Sequence, residues 1–560
     1  MWEKGWRQQV WSELDREWDI LVIGGGITGA GVFRRAVAEG LKTLLVDASD
    51  FSFGTSSRSS KLVHGGIRYL RNRQFGVTRE AVHEREWMLR EARQLVTPLG
   101  CLMPYYQDRH VRDQFALGVV IYDLMAPKWN HSHLSRAGLL NALPCLETPE
   151  LGGGYLYYDA QVDDSRLVLN LIRQGVRSGG SALSYARVNS LLRNQTGRVC
   201  GVRLTDQVSG LPEKEIRARV VINATGPWGD EIRAQVGSAP KLRLLRGSHL
   251  IFPRERLPLP FAVTMINPRD HRAMFAIPWE GKSVVGTTDL DHRHPIDQGE
   301  PFISGEEIAY ILEVTNAIFP GAEIHRGDIL STFSGLRPVI NTGKADPSKE
   351  SRAHVVLQEE GLITVTGGKL TTFRIMAEEA LRQAALSLPG KPDFGRRRPF
   401  FEPLPELQEV SDLSESTKST LLGRYGMELS LLLQEAAEGE NSTIGESPHL
   451  WSEMRYNARH GGVIHLDDLL LRRVRIGLLL PEGGASVMPQ VRQIVQAEMG
   501  WDDAQWEYEA VRYRQIHASF YAPNPSGTLN HFSGEVQCQN QNIPHPGMKQ
   551  ESPLEPIALS

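Results

Sequence analysis

The spacing of apolar and polar positions changes twice along the chain. Short apolar runs at residues 20–23 and 43–46 are typical of buried parallel strands, and a helical pattern at 30–39 separates them. Alternating runs with turn signals between them occupy about 241–330 and predict an antiparallel sheet. Residues 386–522 have helical spacing. We therefore expect an α/β protein with a Rossmann-type domain, a domain built on an antiparallel sheet and an all-α C-terminal domain.

A glycine-rich turn follows the first predicted strand. Gly24, Gly26 and Gly29 have the G-x-G-x-x-G spacing that provides a tight turn, close approach of a pyrophosphate and close helix packing. The N-terminus of the next helix would bind that pyrophosphate through its unpaired N–H groups. Asp47 ends the second strand near the spacing of about 20 residues expected for a ribose-binding carboxylate. These features predict a dinucleotide site but do not distinguish NAD from FAD.

The segment after Asp47 is rich in serine and glycine and carries three cations and a histidine. Its sequence is Thr55-Ser-Ser-Arg-Ser-Ser-Lys-Leu-Val-His-Gly-Gly-Ile-Arg-Tyr-Leu70. Such a loop can supply donors to a buried polyanion, and a solvated surface loop is the alternative. The segment resembles the flavin-dependent, quinone-linked glycerol-3-phosphate dehydrogenases, in which it wraps FAD. The resemblance implies FAD contacts from Thr55, Ser56, Ser57, Ser59, Ser60, Lys61, Leu62, His64, Gly65 and Gly66. Arg58 is left open, since it could reach the FAD phosphates or face solvent.

Three later segments extend the resemblance over roughly residues 19–520. They are 223–226 (N-A-T-G), 334–338 (S-G-L-R-P) and 367–372 (G-G-K-L-T-T). The first could end any α/β strand and is weak by itself. The last is expected to start a helix whose dipole stabilises negative charge on a reduced flavin. The further FAD contacts implied are Thr225, Gly226, Gly367, Gly368, Lys369, Leu370 and Thr371.

The pattern of the chain and the resemblance together give expected domain boundaries. An amphipathic segment at 1–18 precedes a Rossmann-type FAD-binding domain, and a Pro-, Gln-, Asn- and Ser-rich tail at 523–560 is expected to be disordered. Between these lie a substrate-binding or cap domain and the C-terminal helical domain. The expected ranges are 19–100, 155–240 and 331–385 for the FAD domain, 101–154 and 241–330 for the cap, and 386–522 for the helices.

The activity implied is oxidation of sn-glycerol 3-phosphate to dihydroxyacetone phosphate, with FAD accepting the hydride and a respiratory quinone reoxidising it. The substrate is a small dianion, so its pocket needs several cations, and arginine binds phosphate best. By motif, the substrate-binding residues are Arg68, Tyr69, Arg337, Lys369 and, with a weaker match, Arg352. For each arginine considered alone, the alternative to substrate binding is a salt bridge at the protein surface.

His249 and Arg337 are the expected catalytic residues. His249 is the natural base for the substrate hydroxyl, since imidazole titrates near neutral pH. Arg337 would hold the oxygen as it gains negative charge. The alternative is that the cations lower the hydroxyl pKa and water takes the proton.

Other functions stay open from the residues alone. A related flavoprotein could use oxygen as its acceptor, or act on a 2-hydroxy acid or an amino acid, which needs only one carboxylate clamp. A catalytically inactive flavin-binding sensor is a different class, and the presence of all the motif cations argues against it. An NAD dehydrogenase is disfavoured because the serine-rich loop has no role there.

The composition limits which partners and which cellular compartment we expect for the protein. Lys and Arg number 62 against 66 Asp and Glu, so no global field favours nucleic acid. Four scattered cysteines with no C-x-x-C predict neither a metal site nor a disulfide framework and suit a reducing compartment. The absence of an apolar run of about 18 residues and the early start of the first strand predict a protein made and kept in the cytoplasm.

Two amphipathic segments are candidates for membrane contact. Trp2, Trp6, Val10 and Leu14 have helical spacing and are expected to dock on their own domain, with an interfacial anchor as the alternative. Residues 109–129 combine apolar positions with flanking cations. The resemblance implies that such helices lie on the membrane. We therefore expect peripheral attachment to the cytoplasmic face of the inner membrane, and an oligomer such as a dimer stays open.

Overall fold

The structure is a computed structural model of the chain. It describes residues 2–67, 75–107, 109–126, 130–297, 299–347, 350–395, 398–406 and 413–523. Arg68, Tyr69 and residues 524–560 of the tail lie outside the described residues, so the predictions made for them stay predictions.

Eighteen strands lie within the described residues. They are β1 Trp18–Ile23, β2 Thr43–Val46, β3 Leu62–Val63, β4 Val96–Tyr106, β5 Ser132–Ser135, β6 Leu151–Val162, β7 Ser181–Leu183, β8 Ala186–Arg193, β9 Val199–Asp206, β10 Lys214–Asn223, β11 Leu242–Pro253, β12 Ala262–Ile266, β13 Ala273–Trp279, β14 Lys282–Gly286, β15 Leu290–Asp291, β16 Ser331–Ile340, β17 His354–Glu359 and β18 Leu362–Gly367.

Fifteen α-helices lie within the same ranges. They are α1 Trp6–Ser12, α2 Ile27–Ala38, α3 Phe75–Glu91, α4 Arg109–Met125, α5 Arg136–Ala142, α6 Asp164–Arg177, α7 Gly229–Ala234, α8 Gly305–Ile318, α9 Phe373–Ala385, α10 Glu415–Tyr425, α11 Leu429–Gln434, α12 Trp451–His460, α13 Ile476–Leu479, α14 Met488–Met499 and α15 Asp503–Phe520.

The first sheet has the strand order β17-β18-β10-β1-β2-β7, and the hairpin β8–β9 extends β10. Pairing is parallel from β18 through β7, so the carboxyl ends of these strands meet at one edge. The fully buried Ile20, Val22 and Leu45 belong to a core in which α2 packs against α6 and α9. The Rossmann-type prediction is confirmed, and β2 coincides with the predicted strand at 43–46.

The second sheet has ten strands in the order β15-β11-β14-β13-β12-β4-β6-β3, with β16 on β11 and β5 on β6. Pairing is antiparallel except between β12 and β4. This confirms the antiparallel-sheet domain. The sheet also takes β16, which the expected boundaries assigned to the FAD domain, because β16 pairs with β11 from Ser331 to Ile340. Pairing partners are set by tertiary contacts that the spacing of apolar residues does not record.

The helices α10–α15 confirm the predicted helical domain. In this domain α13 and α15 pack against β16 of the second sheet, and α10 packs against α6. Buried ion pairs join this domain to the loops of the first sheet. Arg472 and Arg473 both pair with Asp50, and Arg475 pairs with Asp163 and Asp164. Removing one partner would leave an uncompensated buried charge, so these pairs fix the helical domain against the rest of the chain.

The N-terminal tryptophan segment is docked, as its spacing predicts. Trp2, Trp11 and Leu14 are buried, and Trp2 stacks on Phe51 with ring centroids 5.3 Å apart. Arg7 forms a buried ion pair with Asp206. These side chains contribute to the core, so they do not form an exposed interfacial anchor.

Candidate active site

A cavity of about 660 Å³ is lined by residues of both sheets. This volume lies within the range of about 300–1,000 Å³ that is usual for ligand and cofactor sites. Its walls include the turns that follow β1, β10 and β18. It therefore lies at the carboxyl edge of the parallel strands, where open α/β sheets bind their ligands.

The glycine turn forms one end of the cavity. Gly24 has a φ of +106°, and its N–H donates to Val46 O at 2.8 Å. A Cβ on Gly24 would clash with Ala224 O, and one on Gly29 would overlap Gly24 O. Gly24 and Gly26 line the cavity, whereas Gly29 packs beneath the turn at the start of α2. Glycine is thus required at Gly24 and Gly29, and a Cβ on Gly26 would lie 3.1 Å from Ser56 Oγ.

Asp47 lines the cavity at the end of β2. Its carboxylate accepts the N–H of Gly25 at 2.6 Å and the N–H of Ser49 at 2.8 Å. Burial raises the pKa of Asp47 to about 7, and these two amide donors oppose the shift. The carboxylate is fixed beside the glycine turn, as expected for a ribose-binding acid.

The serine-rich loop lies along the cavity beside the glycine turn. Ser56 Oγ accepts the N–H of Ile27 at 2.9 Å, which ties the loop to the first turn of α2. The predicted FAD contacts of this loop that line the cavity are Thr55, Ser56, Ser59, Ser60, Leu62, His64 and Gly66.

Ser57, Lys61 and Gly65 lie behind this surface. Lys61 Nζ donates to Ser57 O at 2.7 Å and to both Asp164 oxygens at 2.8 and 2.9 Å. Burial lowers the pKa of Lys61 to about 8, although the carboxylate of Asp164 favours the charged form. Lys61 therefore supports the loop from within. Gly65 is enclosed by Val82 and Tyr122.

The remaining predicted FAD contacts follow β10 and β18. Thr225 and Gly226 come directly after β10, where Thr225 Oγ1 donates to Asn223 Oδ1 at 2.7 Å. Gly367 and Gly368 have φ values of +73° and +70°, which turn the chain towards α9. All predicted contacts from these two turns line the cavity, namely Thr225, Gly226, Gly367, Gly368, Lys369, Leu370 and Thr371.

Cationic side chains line the cavity together with these turns. Arg337, Arg352 and Lys369 are all part of the wall, so the weaker motif at Arg352 still located a cavity residue. Two further residues were not singled out from the sequence. Asp289 pairs with both Arg337 and Arg352, and Arg272 lies beside it. The sequence marks Asp289 only as an acidic residue that follows a strand-like run, three residues after the end of β14.

His249, the expected base, does not itself line the cavity. Its side chain is buried, and Nε2 lies 2.8 Å from Oγ of Ser60, which does line the cavity. The imidazole stacks on Phe333 with ring centroids 4.5 Å apart. Burial, together with the charges of Arg337 and Lys61, lowers the pKa of His249 well below its usual value. His249 is therefore a neutral imidazole behind Ser60.

Arg58, left open by the sequence, is buried at the cavity wall. It pairs with Glu300 and donates to the hydroxyl of Tyr521 at 3.0 Å. Because Tyr521 caps the end of α15, this contact brings the C-terminal domain to the edge of the cavity. Phe520 also lines it.

These features define a dinucleotide-binding α/β protein with a cationic pocket, and comparison with known proteins makes the assignment specific. The FAD dependent oxidoreductase family matches residues 19–380, and the C-terminal domain of alpha-glycerophosphate oxidase matches residues 385–506. A glycerol-3-phosphate dehydrogenase of Mycobacterium leprae is 36% identical over 529 residues, 90% of this chain and 89% of that protein. The mitochondrial glycerol-3-phosphate dehydrogenase of Bos taurus is 34% identical over 542 residues, 89% of this chain and 73% of that protein.

A solved structure gives the same result. The glycerol-3-phosphate dehydrogenase from Bacillus halodurans complexed with FAD is 27% identical, with a TM-score of 0.69 over 92% of this chain and 98% of that one. The chain therefore belongs to the family of FAD-dependent glycerol-3-phosphate dehydrogenases, and FAD is its cofactor.

The residues present fit FAD. Gly24 and Gly26 line the cavity without side chains, and the start of α2 faces the same space with the positive end of its helix dipole, which suits a pyrophosphate. Asp47 would accept a hydrogen bond from the ribose. The turn at Gly367 and Gly368 places a second helix start on the wall, where its dipole favours negative charge on a reduced flavin.

Proposed function

We propose that this protein oxidises sn-glycerol 3-phosphate to dihydroxyacetone phosphate with FAD as hydride acceptor, and that a respiratory quinone then takes the electrons. The observation that carries the proposal is the presence of Arg337, Arg352 and Lys369 in the wall of the cavity that holds the glycine turn. A phosphate dianion needs several cations, and guanidinium groups bind it with two parallel hydrogen bonds. The names of the relatives point to the same substrate.

A substrate with a single carboxylate is the weaker candidate. A 2-hydroxy acid or an amino acid carries one carboxylate, whereas Arg337, Arg352 and Lys369 bring three positive charges to the wall. Asp289 pairs with Arg337 and Arg352, and the positive charge that remains suits a dianion better than a single carboxylate. The number of cations therefore favours a phosphate monoester.

The proton of the substrate hydroxyl needs an acceptor. When bound, FAD supplies the acceptor for the hydride that leaves C2 of the substrate. Ser60 faces the cavity and is hydrogen-bonded to the neutral His249, so it can take the hydroxyl proton while its own proton passes to Nε2. Arg337, in the same wall, is suited to hold the oxygen as its negative charge grows.

Two features support a quinone as the electron acceptor. The serine-rich loop and the later motifs resemble those of the quinone-linked dehydrogenases, and the chain has no obvious large insertion of the kind that some oxidase relatives carry. Oxygen is the second candidate, because residues 385–506 match a domain described from an oxidase.

Delivery of electrons to a membrane quinone calls for a surface that meets the bilayer, and we propose that α4 provides it at the cytoplasmic face of the inner membrane. Leu117 and Leu124 lie two helical turns apart and are 61% and 72% exposed, while Val119 and Tyr122 on the other side are buried. Within the described ranges, no helix is long and apolar enough to cross a membrane. The exposed leucines of α4 suit a helix that lies on the membrane surface without crossing it.

Anaerobic reduction of the bound flavin tests the proposal. The FAD-loaded protein is mixed with sn-glycerol 3-phosphate without oxygen, and the flavin absorbance near 450 nm is followed (roughly the position of free oxidised flavin). Rapid bleaching that glycerol and lactate do not cause would support the substrate. Adding a quinone analogue or air to the reduced protein then separates a dehydrogenase from an oxidase. No bleaching in FAD-loaded protein would refute the proposed substrate.

A further inference from the structure

Three guanidinium groups converge on one carboxylate in the cavity wall. Arg352 Nη2 donates to Asp289 Oδ2 at 2.8 Å, and Arg337 Nη1 donates to Oδ1 at 3.2 Å. Arg272 Nη2 donates to the backbone oxygen of Asp289 at 2.8 Å and lies 3.8 Å from Oδ2. The Asp289 side chain is only 10% exposed. The carboxylate therefore fixes two of these arginines directly and lies beside the third.

The second sheet brings these residues together. Arg272 directly precedes β13, and Asp289 follows the end of β14. The two strands pair antiparallel with Phe275 opposite Gly286, so the start of one lies beside the end of the other. Arg337 arrives on β16, which pairs with β11 next to β14. Strand register thus brings Arg272, Asp289 and Arg337 together, and Arg352 joins them from the segment between β16 and β17.

The arginines keep surface for a ligand. The side chains of Arg272 and Arg337 are each 29% exposed, and both line the cavity. Three guanidinium groups and one carboxylate leave about two positive charges, since arginine stays protonated in proteins. A phosphate monoester carries about 1.5 to 2 negative charges at neutral pH. The cluster therefore matches a dianion better than it matches a single carboxylate.

We propose that Arg272 is a further phosphate-binding residue of this site and that Asp289 is the positioning residue that holds the guanidinium groups for it. The inference rests on the proposed function for the identity of the substrate. Its own content is the ligand class, a phosphate dianion, and the roles of these two residues. Asp289 acts only through the arginines, because a carboxylate would repel the phosphate that they bind.

Arg272→Gln in the FAD-loaded protein tests the first role. The half-saturating concentration of sn-glycerol 3-phosphate should rise about 10- to 100-fold, the usual size of a lost charged hydrogen bond. The limiting rate of anaerobic flavin reduction should stay within about threefold, since the lost contact binds ground state and transition state alike. Arg269→Gln is the matched control, because Arg269 is 71% exposed and pairs with Glu313. It should leave both parameters unchanged.

Inorganic phosphate provides a measurement that does not depend on turnover. Phosphate should raise the melting temperature of the FAD-loaded protein, as any ligand of the folded state does. Arg272→Gln should need about tenfold more phosphate for the same shift, by the same loss of one charged contact. If phosphate stabilises the Arg272→Gln variant as well as the unchanged protein, the role of Arg272 is refuted.

Asp289→Asn tests the positioning role through the sign of its effect. Removing a negative charge beside an anion site should tighten phosphate binding if only charge matters. Loss of the element that holds the arginines should instead weaken it, by about tenfold on the scale of one well-placed charged contact. Asp291→Asn is the control, since Asp291 makes a comparable pair with Arg243 but is more exposed than Asp289 and does not line the cavity. Unchanged or tighter phosphate binding in Asp289→Asn would overturn the positioning role.

Asp289→Glu guards against a purely structural effect. It keeps the charge and should restore part of the phosphate response, whereas misfolding of Asp289→Asn would lower the melting temperature and FAD content without phosphate.

Failure of the proposed substrate is distinguishable from failure of this inference. In the first case sn-glycerol 3-phosphate does not bleach the flavin although phosphate still binds. In the second the flavin bleaches and the Arg272 variant behaves as its control does.

Discussion

Oγ of Ser60 lies 2.8 Å from Nε2 of His249 and stands between that imidazole and the cavity. His249 itself is 1% exposed and stacks on Phe333. A proton can therefore reach His249 from the cavity by way of the Ser60 hydroxyl. The base proposed from sequence thus gains a partner that the sequence counted only as a cofactor contact.

Ser60→Ala should remove the hydroxyl group through which a proton passes from the cavity to His249. We expect the limiting rate of anaerobic flavin reduction to fall by about 10²-fold, at the lower end of what general base catalysis contributes. His249→Ala should cause a similar fall, and the double variant should be no slower than either single one, because the two residues act as a unit. Stopped-flow absorbance of FAD-loaded protein measures these rates. Full turnover in His249→Ala would refute the base assignment, and full turnover in Ser60→Ala alone would refute the relay.

The pH dependence follows from the position of His249. Its pKa lies well below 6.5 because of burial and the charges of Arg337 and Lys61. The imidazole accepts a proton only when neutral, and a lowered pKa keeps it neutral as the pH falls. The limiting rate at saturating substrate should therefore stay flat as the pH drops through 6.5 and decline only at lower pH. A decline centred at 6.5 or above that disappears in His249→Ala would contradict this expectation.

Gly29→Ala tests the turn that holds the cofactor. The added Cβ would overlap Gly24 O, so the turn or the start of α2 has to move. We expect FAD affinity to fall by at least about tenfold, because overpacking costs about 1–3 kcal/mol and acts directly on the pyrophosphate cradle. Gly76→Ala is the control, since Gly76 lies in α3 with open space around it. Fluorescence titration of the FAD-free protein measures both, and equal affinities would contradict the prediction.

The cofactor half of the site was predictable because its constraints are local. Gly24 and Asp47 belong to one strand–turn–helix–strand unit, in which spacing along the chain fixes spacing in the fold. The part of the cavity wall that we propose binds the substrate was predictable only where a motif carried it, as for Arg337. Asp289 and Arg272 approach each other through the pairing of β13 with β14, and no short motif records that contact. The position of β16 was missed for the same reason, since strand pairing is a long-range property.

The membrane contact proposed for α4 yields the last prediction. Leu117→Glu with Leu124→Glu removes two exposed leucines and adds two negative charges facing anionic lipid. Since burying a leucine contributes about 1.5–3 kcal/mol, co-sedimentation with vesicles of anionic phospholipid should fall by at least tenfold.

Leu386→Glu is the control, because Leu386 is 69% exposed at the end of α9, outside the proposed contact surface. Flavin reduction by substrate should be normal in all variants, because α4 places neither leucine in the cavity wall. Undiminished sedimentation of the double variant would show that α4 is not the membrane contact, and an equal loss in Leu386→Glu would show that charge alone accounts for the effect.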